Sequence, residues 1–321
     1  MVNTVLGPVP VSELGMTLMH EHIVNIEWNI ARAFPEYYNK ESVVDMFCQE
    51  AQWLKEHGVR TIVDATPITL GRDVSLLRAC AEKSGMNIIA CTGLYWNVQP
   101  FFHYGIDAQV VADLMLREVE HGMEGTDSLP GFVKCAANTA IAGTEFEEAI
   151  VTATAMVAKE TGLPVYTHTQ PGSRMALRHK EIFDAYGIPA HKVAYGHTFS
   201  IVDEEYIRSI IAGGGWASCD QLCYAGAGKL DPLEKQIDMV EKLFREDLHK
   251  SIFLSCDWGV RSDFGGTLLA NRVERNKNPK PTTRRVKMLF EQVVPELEKR
   301  GIPREKILEV FVDNPRRYFG N

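Results

Sequence analysis

The sequence predicts an α/β fold, a single (β/α)8 TIM barrel whose site lies at the C-terminal ends of the strands. Three observations carry that expectation. Short apolar, β-branched runs alternate about eight times with longer amphipathic stretches, the rhythm of βα units around a parallel sheet. No Pro-, Gly- or Ser-rich linker and no low-complexity block interrupts residues 1–321, so one domain is expected. Histidines, a lysine and an aspartate recur where apolar runs pass into polar loops, which is where barrel enzymes keep their chemistry.

In chain order the candidate strands are MTLMHEHIV, TIVDAT, NIIACTG, GFVKCAA, PVYTHTQ, KVAYGHT, GWASCDQ and SIFLSCDWG. Between them, stretches such as Ser42 to His57, Val110 to Gly122, Thr144 to Thr161 and Asp203 to Ala212 place apolar residues three and four apart, as amphipathic helices do. Pro303 to Phe319 closes the chain as a further helix. Two loops exceed what a barrel needs, and long loops in compact domains usually serve a site. Tyr95 to Asp107, after the third strand, carries Tyr95, Trp96, Phe101, Phe102 and His103; Trp258 to Thr282, after the eighth, carries Arg261 and Asp263.

Composition narrows the function. Apolar residues make up 45% and charged residues 24%, ordinary for a globular protein with a large core. A formal net charge of -8 gives no electrostatic reason to expect a nucleic-acid or anionic membrane partner, so the expected partner is a small-molecule substrate. No uninterrupted apolar run reaches the roughly 20 residues that span a bilayer. The N-terminal MVNTVLGPVPVSELGMTLMHEH lacks a basic segment followed by an apolar core, so a cytoplasmic location is expected. The 7 cysteines (Cys48, Cys80, Cys91, Cys135, Cys219, Cys223, Cys256) are odd in number and mostly lie in apolar stretches, which reads as reduced core thiols. Cys219 and Cys223 have no second pair with which to build a structural zinc site.

His20 and His22 lie two apart in MTLMHEHIV, and a strand's period of two puts both imidazoles on one face. A single His-x-His is weak evidence, but Lys134, His168, His197 and Asp257 sit at the ends of other candidate strands, and those ends converge on one rim. The mix suits a hydrolytic two-metal site. Imidazole nitrogens bind zinc, cobalt or nickel, carboxylates suit harder ions such as manganese, and two ions about 3.5 to 4 Å apart can share a bridging hydroxide. Lys134 fits such a site after reaction with carbon dioxide, because an ammonium has no lone pair and repels cations, whereas a carbamate is an anion with two oxygens.

GMTLMHEH, GFVKCAA, YTHT, YGHT and SCDWG, in this order, resemble the phosphotriesterase family of the amidohydrolase superfamily, and the likeness runs from GPV near the start to FVDNPRRYF at the end. The resemblance implies that His20, His22 and Asp257 hold a more buried metal, that His168 and His197 hold a more exposed one, and that a carbamate on Lys134 bridges them. Zinc is the expected ion, with cobalt, manganese, nickel or iron as alternatives. It also implies hydrolysis by a metal-bridging hydroxide, with Asp257 taking the proton, and commonly a homodimer. The family includes lactonases, phosphotriesterases and amide hydrolases. Lactonase activity with promiscuous phosphotriester hydrolysis is the favoured expectation; an amide or carboxylester hydrolase on the same metals and a non-catalytic small-molecule binder are the alternatives.

Candidate substrate contacts are Tyr95, Trp96, Arg174, Gln221 and Arg261. Tyr95 matches a tyrosine that lactonase-type members place near the exposed metal, or else packs the loop as a rim aromatic. In WASCDQLCYAG, Asp220 is followed by Gln221 where many lactonase-type members carry Arg, which removes a cationic contact. Arg174 and Arg261 either bind a phosphate or carboxylate on the substrate or face solvent. Asp64 is expected to accept a hydrogen bond from a ligand histidine. GAGK at Gly226 to Lys229 lacks the spacing of a phosphate-binding loop and reads as a turn. His57, His121, His179, His191 and His249 are expected at the surface, and His103 in a loop over the site.

Overall fold

The computed structural model describes residues 1–34, 38–96, 107–138, 144–262 and 284–320. It opens on an antiparallel hairpin, β1 (Val2–Thr4) and β2 (Gly7–Val9), which no run of alternating hydrophobicity announces. Parallel strands follow at each expected position: β3 (Met16–Asn25), β4 (Val59–Asp64), β5 (Asn87–Gly93), β6 (Phe132–Ala137), β7 (Val165–Thr169), β8 (Val193–Tyr195) and β9 (Trp216–Cys219). The eighth expected strand is broken in two. β10 (Ile252–Leu254) pairs with β9 and β11 (Trp258–Ser262) pairs with β3, so the (β/α)8 barrel closes through the gap between them.

The helices form the outer layer: α1 (Trp28–Ala33), α2 (Lys40–Glu56), α3 (Val74–Ser84), α4 (Ala108–His121), α5 (Thr144–Thr161), α6 (Met175–Tyr186), α7 (Glu204–Ala212) and α8 (Leu233–Arg245). After the described residues resume, α9 (Arg284–Met288) runs through a π-helical turn (Leu289–Val293) into α10 (Val294–Lys299), and α11 (Arg304–Phe319) ends the chain. Side-chain caps explain several starts. Asn39, Asp73, Asp107 and Asp203 accept the backbone N–H of Ser42, Leu76, Val110 and Tyr206 at the first turns of α2, α3, α4 and α7, each substitution of such a cap costing about 1 kcal/mol. No helix among the described residues is long and apolar enough to cross a membrane.

Strand alternation divides the core in two. On β6, Val133 and Cys135 join the layer between strands and helices, while Phe132 lies in the barrel interior with Tyr166, Trp216, Phe253 and Tyr318. Trp216 and Phe253 stack at 4.8 Å, and Tyr318 of the last helix meets Phe253 edge-on, so aromatic rings plug the barrel floor. Above that floor the inward-facing positions become polar. Gly93 is needed here: its φ is 137°, and a Cβ would stand 1.9 Å from the Lys134 carbonyl oxygen.

Three expectations need correction. Cys223 and Cys256, 33 residues apart, form a disulfide, because the turn after β9 folds back onto the gap in the eighth strand and brings the two Cα atoms within 5.1 Å; the other five cysteines are free thiols. His179 and His249 are buried rather than at the surface. His179 sits on the inward face of α6, and His249 stacks on Phe244 at 4.8 Å while its Nε2 meets Glu309 at 3.1 Å. His57, His121 and His191 are exposed as expected. Phe101, Phe102, His103 and Asp263 lie outside the described residues, as does the side chain of Arg261.

Candidate metal centre

His20, His22, Lys134, His168, His197 and Asp257 come together at the C-terminal mouth of the barrel. His20 Nε2 lies 3.2 Å from Lys134 Nζ and 3.8 Å from Asp257 Oδ1, and His22 Nε2 lies 3.0 Å from the same oxygen. On the facing side His168 Nδ1 and His197 Nε2 stand 2.8 Å apart. His20, His22 and Asp257 each offer one ligand atom, all within 4.8 Å of one another. Among the described residues, this convergence of imidazole nitrogens and a carboxylate oxygen on one small space is the chemistry of a divalent-cation site.

The opposite edges of three of the rings show how they are held toward the mouth. His20 Nδ1 donates to Asp220 Oδ2 at 2.7 Å, His22 Nδ1 meets Thr66 Oγ1 at 2.8 Å, and His197 Nδ1 donates to Asp220 Oδ1 at 2.9 Å. For His20 and His197 the Nδ1 partner is a carboxylate oxygen, which only a donor can satisfy, so the proton resides on Nδ1 and the Nε2 lone pair faces the mouth, while the Thr66 hydroxyl, which can donate or accept, holds the ring of His22. Such partners fix tautomer and ring orientation for a metal. Asp220 could itself be counted in a cluster with His20 and His197. Its oxygens are already occupied, however: Tyr166 Oη also donates to Oδ2 at 3.0 Å and the His197 amide to Oδ1 at 2.8 Å. Asp220 therefore orients two imidazoles and leaves no lone pair for an ion. Burial opposes its charge, but His197 and His20 hold the carboxyl well below the usual range.

Asp64 does not take the role expected of it. Its oxygens accept the backbone N–H of Ile23 at 2.7 Å and of Thr66 at 3.1 Å, and it is the Thr66 hydroxyl that meets His22. Asp64 thus acts one bond further out, by fixing the turn that carries Thr66. Glu21, between the two histidines, points away from the mouth and spans the gap in the eighth strand. Its Oε1 accepts Ser255 Oγ at 2.8 Å and the Cys256 N–H at 3.0 Å, and its Oε2 accepts the Trp258 N–H at 2.6 Å. Burial pushes this carboxyl up to about 8. The interrupted ladder leaves Asp257 at φ 51°, and His197 sits at φ 64°. Both are left-handed conformations that cost a non-glycine residue energy and cluster at functional sites.

Burial governs the protonation of the mouth. His20 is drawn down to about 3 by desolvation and by Lys134, and His168 is held well below its usual value by desolvation and by His197 and Lys134. Both imidazoles are therefore neutral and able to bind a metal. Lys134 is 1% exposed, and its burial lowers the pKa of the amine.

The candidate substrate contacts divide. Tyr95 Oη is 3.5 Å from His168 Nδ1, and Tyr95 and Trp96 rings pack at 5.5 Å beside the mouth. Gln221 faces the site differently from the expectation, as a partner of Asp257. Ser200 Oγ donates to Gln221 Oε1 at 2.7 Å, which fixes the amide so that Nε2 donates to Asp257 Oδ2 at 2.9 Å. Arg174 lies on the exposed start of α6, its guanidinium shared by Asp203 at 2.6 Å and Glu205 at 3.0 Å. Asp220, Thr66, Glu21 and Ser200 were not singled out as supports in the sequence. For Asp220 a signal existed, an acidic residue at a strand end in the same position as the histidines.

A closed parallel barrel with four imidazoles, an aspartate and a buried lysine at its mouth defines the class of metal-dependent barrel hydrolases. The chain belongs to the phosphotriesterase family, whose model matches residues 1–319, a family of binuclear metal hydrolases. It is 32% identical over 328 residues to a phosphotriesterase homology protein of Mycobacterium tuberculosis, covering 99% of this chain and 97% of that protein. It is 28% identical to an aryldialkylphosphatase of Saccharolobus solfataricus, covering 96% and 95%. It is 27% identical to a phospho-furanose lactonase of Mycoplasmopsis agalactiae, covering 98% and 90%.

Proposed function

We propose that this hydrolase opens lactones, with phosphotriester hydrolysis as a slower side reaction, on two divalent ions held by His20, His22, Lys134, His168, His197 and Asp257. The observation that carries the reading is the convergence of these donors, with the far edges of His20, His22 and His197 and one oxygen of Asp257 already bonded. In this reading His20, His22 and Asp257 hold the inner ion, His168 and His197 hold the outer one, and Lys134 lies between. An ammonium there would repel both ions. The lowered pKa of Lys134 supports a neutral amine, whose lone pair attacks carbon dioxide and releases one proton to leave a carbamate.

When bound, the two ions would supply an activated water and polarise a carbonyl or phosphoryl oxygen. The chain's own residues do the rest. Asp257 takes the water's proton. Gln221, fixed by Ser200, holds the Oδ2 of that carboxylate and leaves Oδ1 toward the mouth. Tyr95, beside His168, meets the substrate at the outer side. The names of two relatives, an aryldialkylphosphatase and a phospho-furanose lactonase, support both halves of the activity. Arg174 is already paired with Asp203 and Glu205, which leaves Arg261 as the remaining candidate cation for a phosphorylated lactone.

The test is a substrate panel run with zinc-, cobalt- and manganese-loaded protein: γ- and δ-lactones with and without a phosphate, acyl-homoserine lactones, linear esters, amides and paraoxon. Lactones are expected to give kcat/KM at least ~100-fold above paraoxon, a transition-state difference of about 2.7 kcal/mol. Clear amide turnover without lactone turnover would overturn the substrate assignment.

A further inference from the structure

Between α5 and α6, on the outer side of the strand ends, the structure contains a cleft of about 460 Å³, a size that takes a compact organic ligand. None of its lining residues belongs to the six at the metal centre. Ala137, Val151, Ile182 and the exposed Leu177 give it apolar walls. His179 also faces it. That side chain is 1% exposed, yet neither ring nitrogen has a hydrogen-bond partner. Native proteins carry few such groups, because a buried polar atom without a partner is costly. Desolvation draws the ring down to about 3, so it is neutral and offers one N–H and one lone pair.

Glu147 lines the same cleft and is 3% exposed. It accepts the Asn138 amide at 2.5 Å, and no cation pairs with it among the described residues. The guanidiniums at the cleft are already neutralised. Arg178 is held by Glu148 at 2.9 Å and Glu181 at 2.8 Å, and Arg174 by Asp203 and Glu205. An anionic ligand would find no free cation here. An unpaired buried carboxyl and an unused imidazole lone pair instead ask for a group rich in donors.

We propose that the α5–α6 cleft binds a small organic amine, with its ammonium bonded to the Glu147 carboxylate and the His179 lone pair and its apolar body against Val151, Leu177 and Ile182. An ammonium has three donors and no acceptor, so it can serve both groups, and its charge opposes the burial that raises the pKa of the Glu147 carboxyl.

Calorimetric titration of n-hexylamine, 1-hexanol and hexanoate into the full-length, metal-loaded protein at neutral pH tests this. Hexylamine is expected to bind saturably with one site per chain, the alcohol at least tenfold more weakly and the carboxylate not at all. Glu147→Gln, nearly isosteric, and His179→Leu should each weaken hexylamine at least tenfold while leaving metal content unchanged; if His179→Leu does not fold, Glu147→Gln decides. Because amines also ligate metals, the titration is repeated on chelator-treated protein. Binding that survives Glu147→Gln but disappears with the metals would put the amine at the metal centre and overturn the proposal. Equal binding of the alcohol, or no saturation by hexylamine, would overturn it as well.

Discussion

On the side of the mouth formed by β3 and the broken eighth strand, every candidate ligand has a second partner that aims it. Asp220 holds His20, Thr66 holds His22, and Gln221 holds the outer oxygen of Asp257. On the side formed by β7 and β8 the restraint is unequal. His197 is bonded through its Nδ1 and its backbone N–H to Asp220, whereas His168 is partly exposed, and no partner among the described residues anchors its second nitrogen. Ligands already aimed lose less freedom when an ion binds. The inner position should therefore hold its ion more tightly than the outer one, although the residue types on the two sides are nearly alike.

The largest expected effect comes from removing what both sides share. In Lys134→Ala the proposed bridge between the two positions is gone, and loss of both metals and of essentially all activity is expected. Short carboxylic acids should restore part of each by occupying the vacated space; metal analysis with and without acetate or propionate checks it, and the absence of any restoration would count against the carbamate. Asp220→Ala removes the acceptor from His20 and His197 together. Because loss of an orienting partner costs about 10- to 100-fold in metal affinity or activity, this variant is expected near the upper end and Thr66→Val, which frees His22 alone, near the lower. Equal effects would show that Asp220 is not the shared support.

A smaller effect sharpens the contrast directly. Stepwise chelation should remove the metals in two phases, with activity lost in the first, and a His168 variant should abolish that first phase while leaving the second. A single phase for the unaltered protein would mean the two positions are equivalent. The smallest effect lies away from the mouth and concerns stability. Glu50 of α2 is 1% exposed with neither carboxylate oxygen hydrogen-bonded, and burial pushes its carboxyl from 4.5 up to about 7. The folded chain therefore keeps a proton that the unfolded chain releases above 4.5. The stability this confers is full below that value, falls as pH rises, and is lost above about 7. Glu50→Gln should raise Tm by about 3 °C at pH 8 and leave it nearly unchanged at pH 4; an equal shift at both would exclude ionisation as the cause.

The convergence of the six candidate residues was legible because their direction is a local property. Period two in HEH put His20 and His22 on one face whatever the strand's neighbours, and apolar runs ending in Lys134, His168, His197 and Asp257 marked strand ends that a parallel barrel brings together. Glu21 shows the limit of that rule: the same alternation points it outward, but nothing local says that it will meet the gap in the eighth strand.

What the sequence determined by itself was the number and order of the strands and the kind of atom each sends into the mouth, since these follow from backbone geometry within a few residues. Tertiary structure alone decided which groups stand behind those atoms. Asp220 meets a histidine 200 residues away as well as one 23 away, Thr66 takes the place expected of Asp64, Cys223 reaches Cys256, and His179 turns into a cleft instead of solvent. Each depends on the register between strands and on how helices dock, and those are set by the packing of the whole barrel rather than by any segment of it.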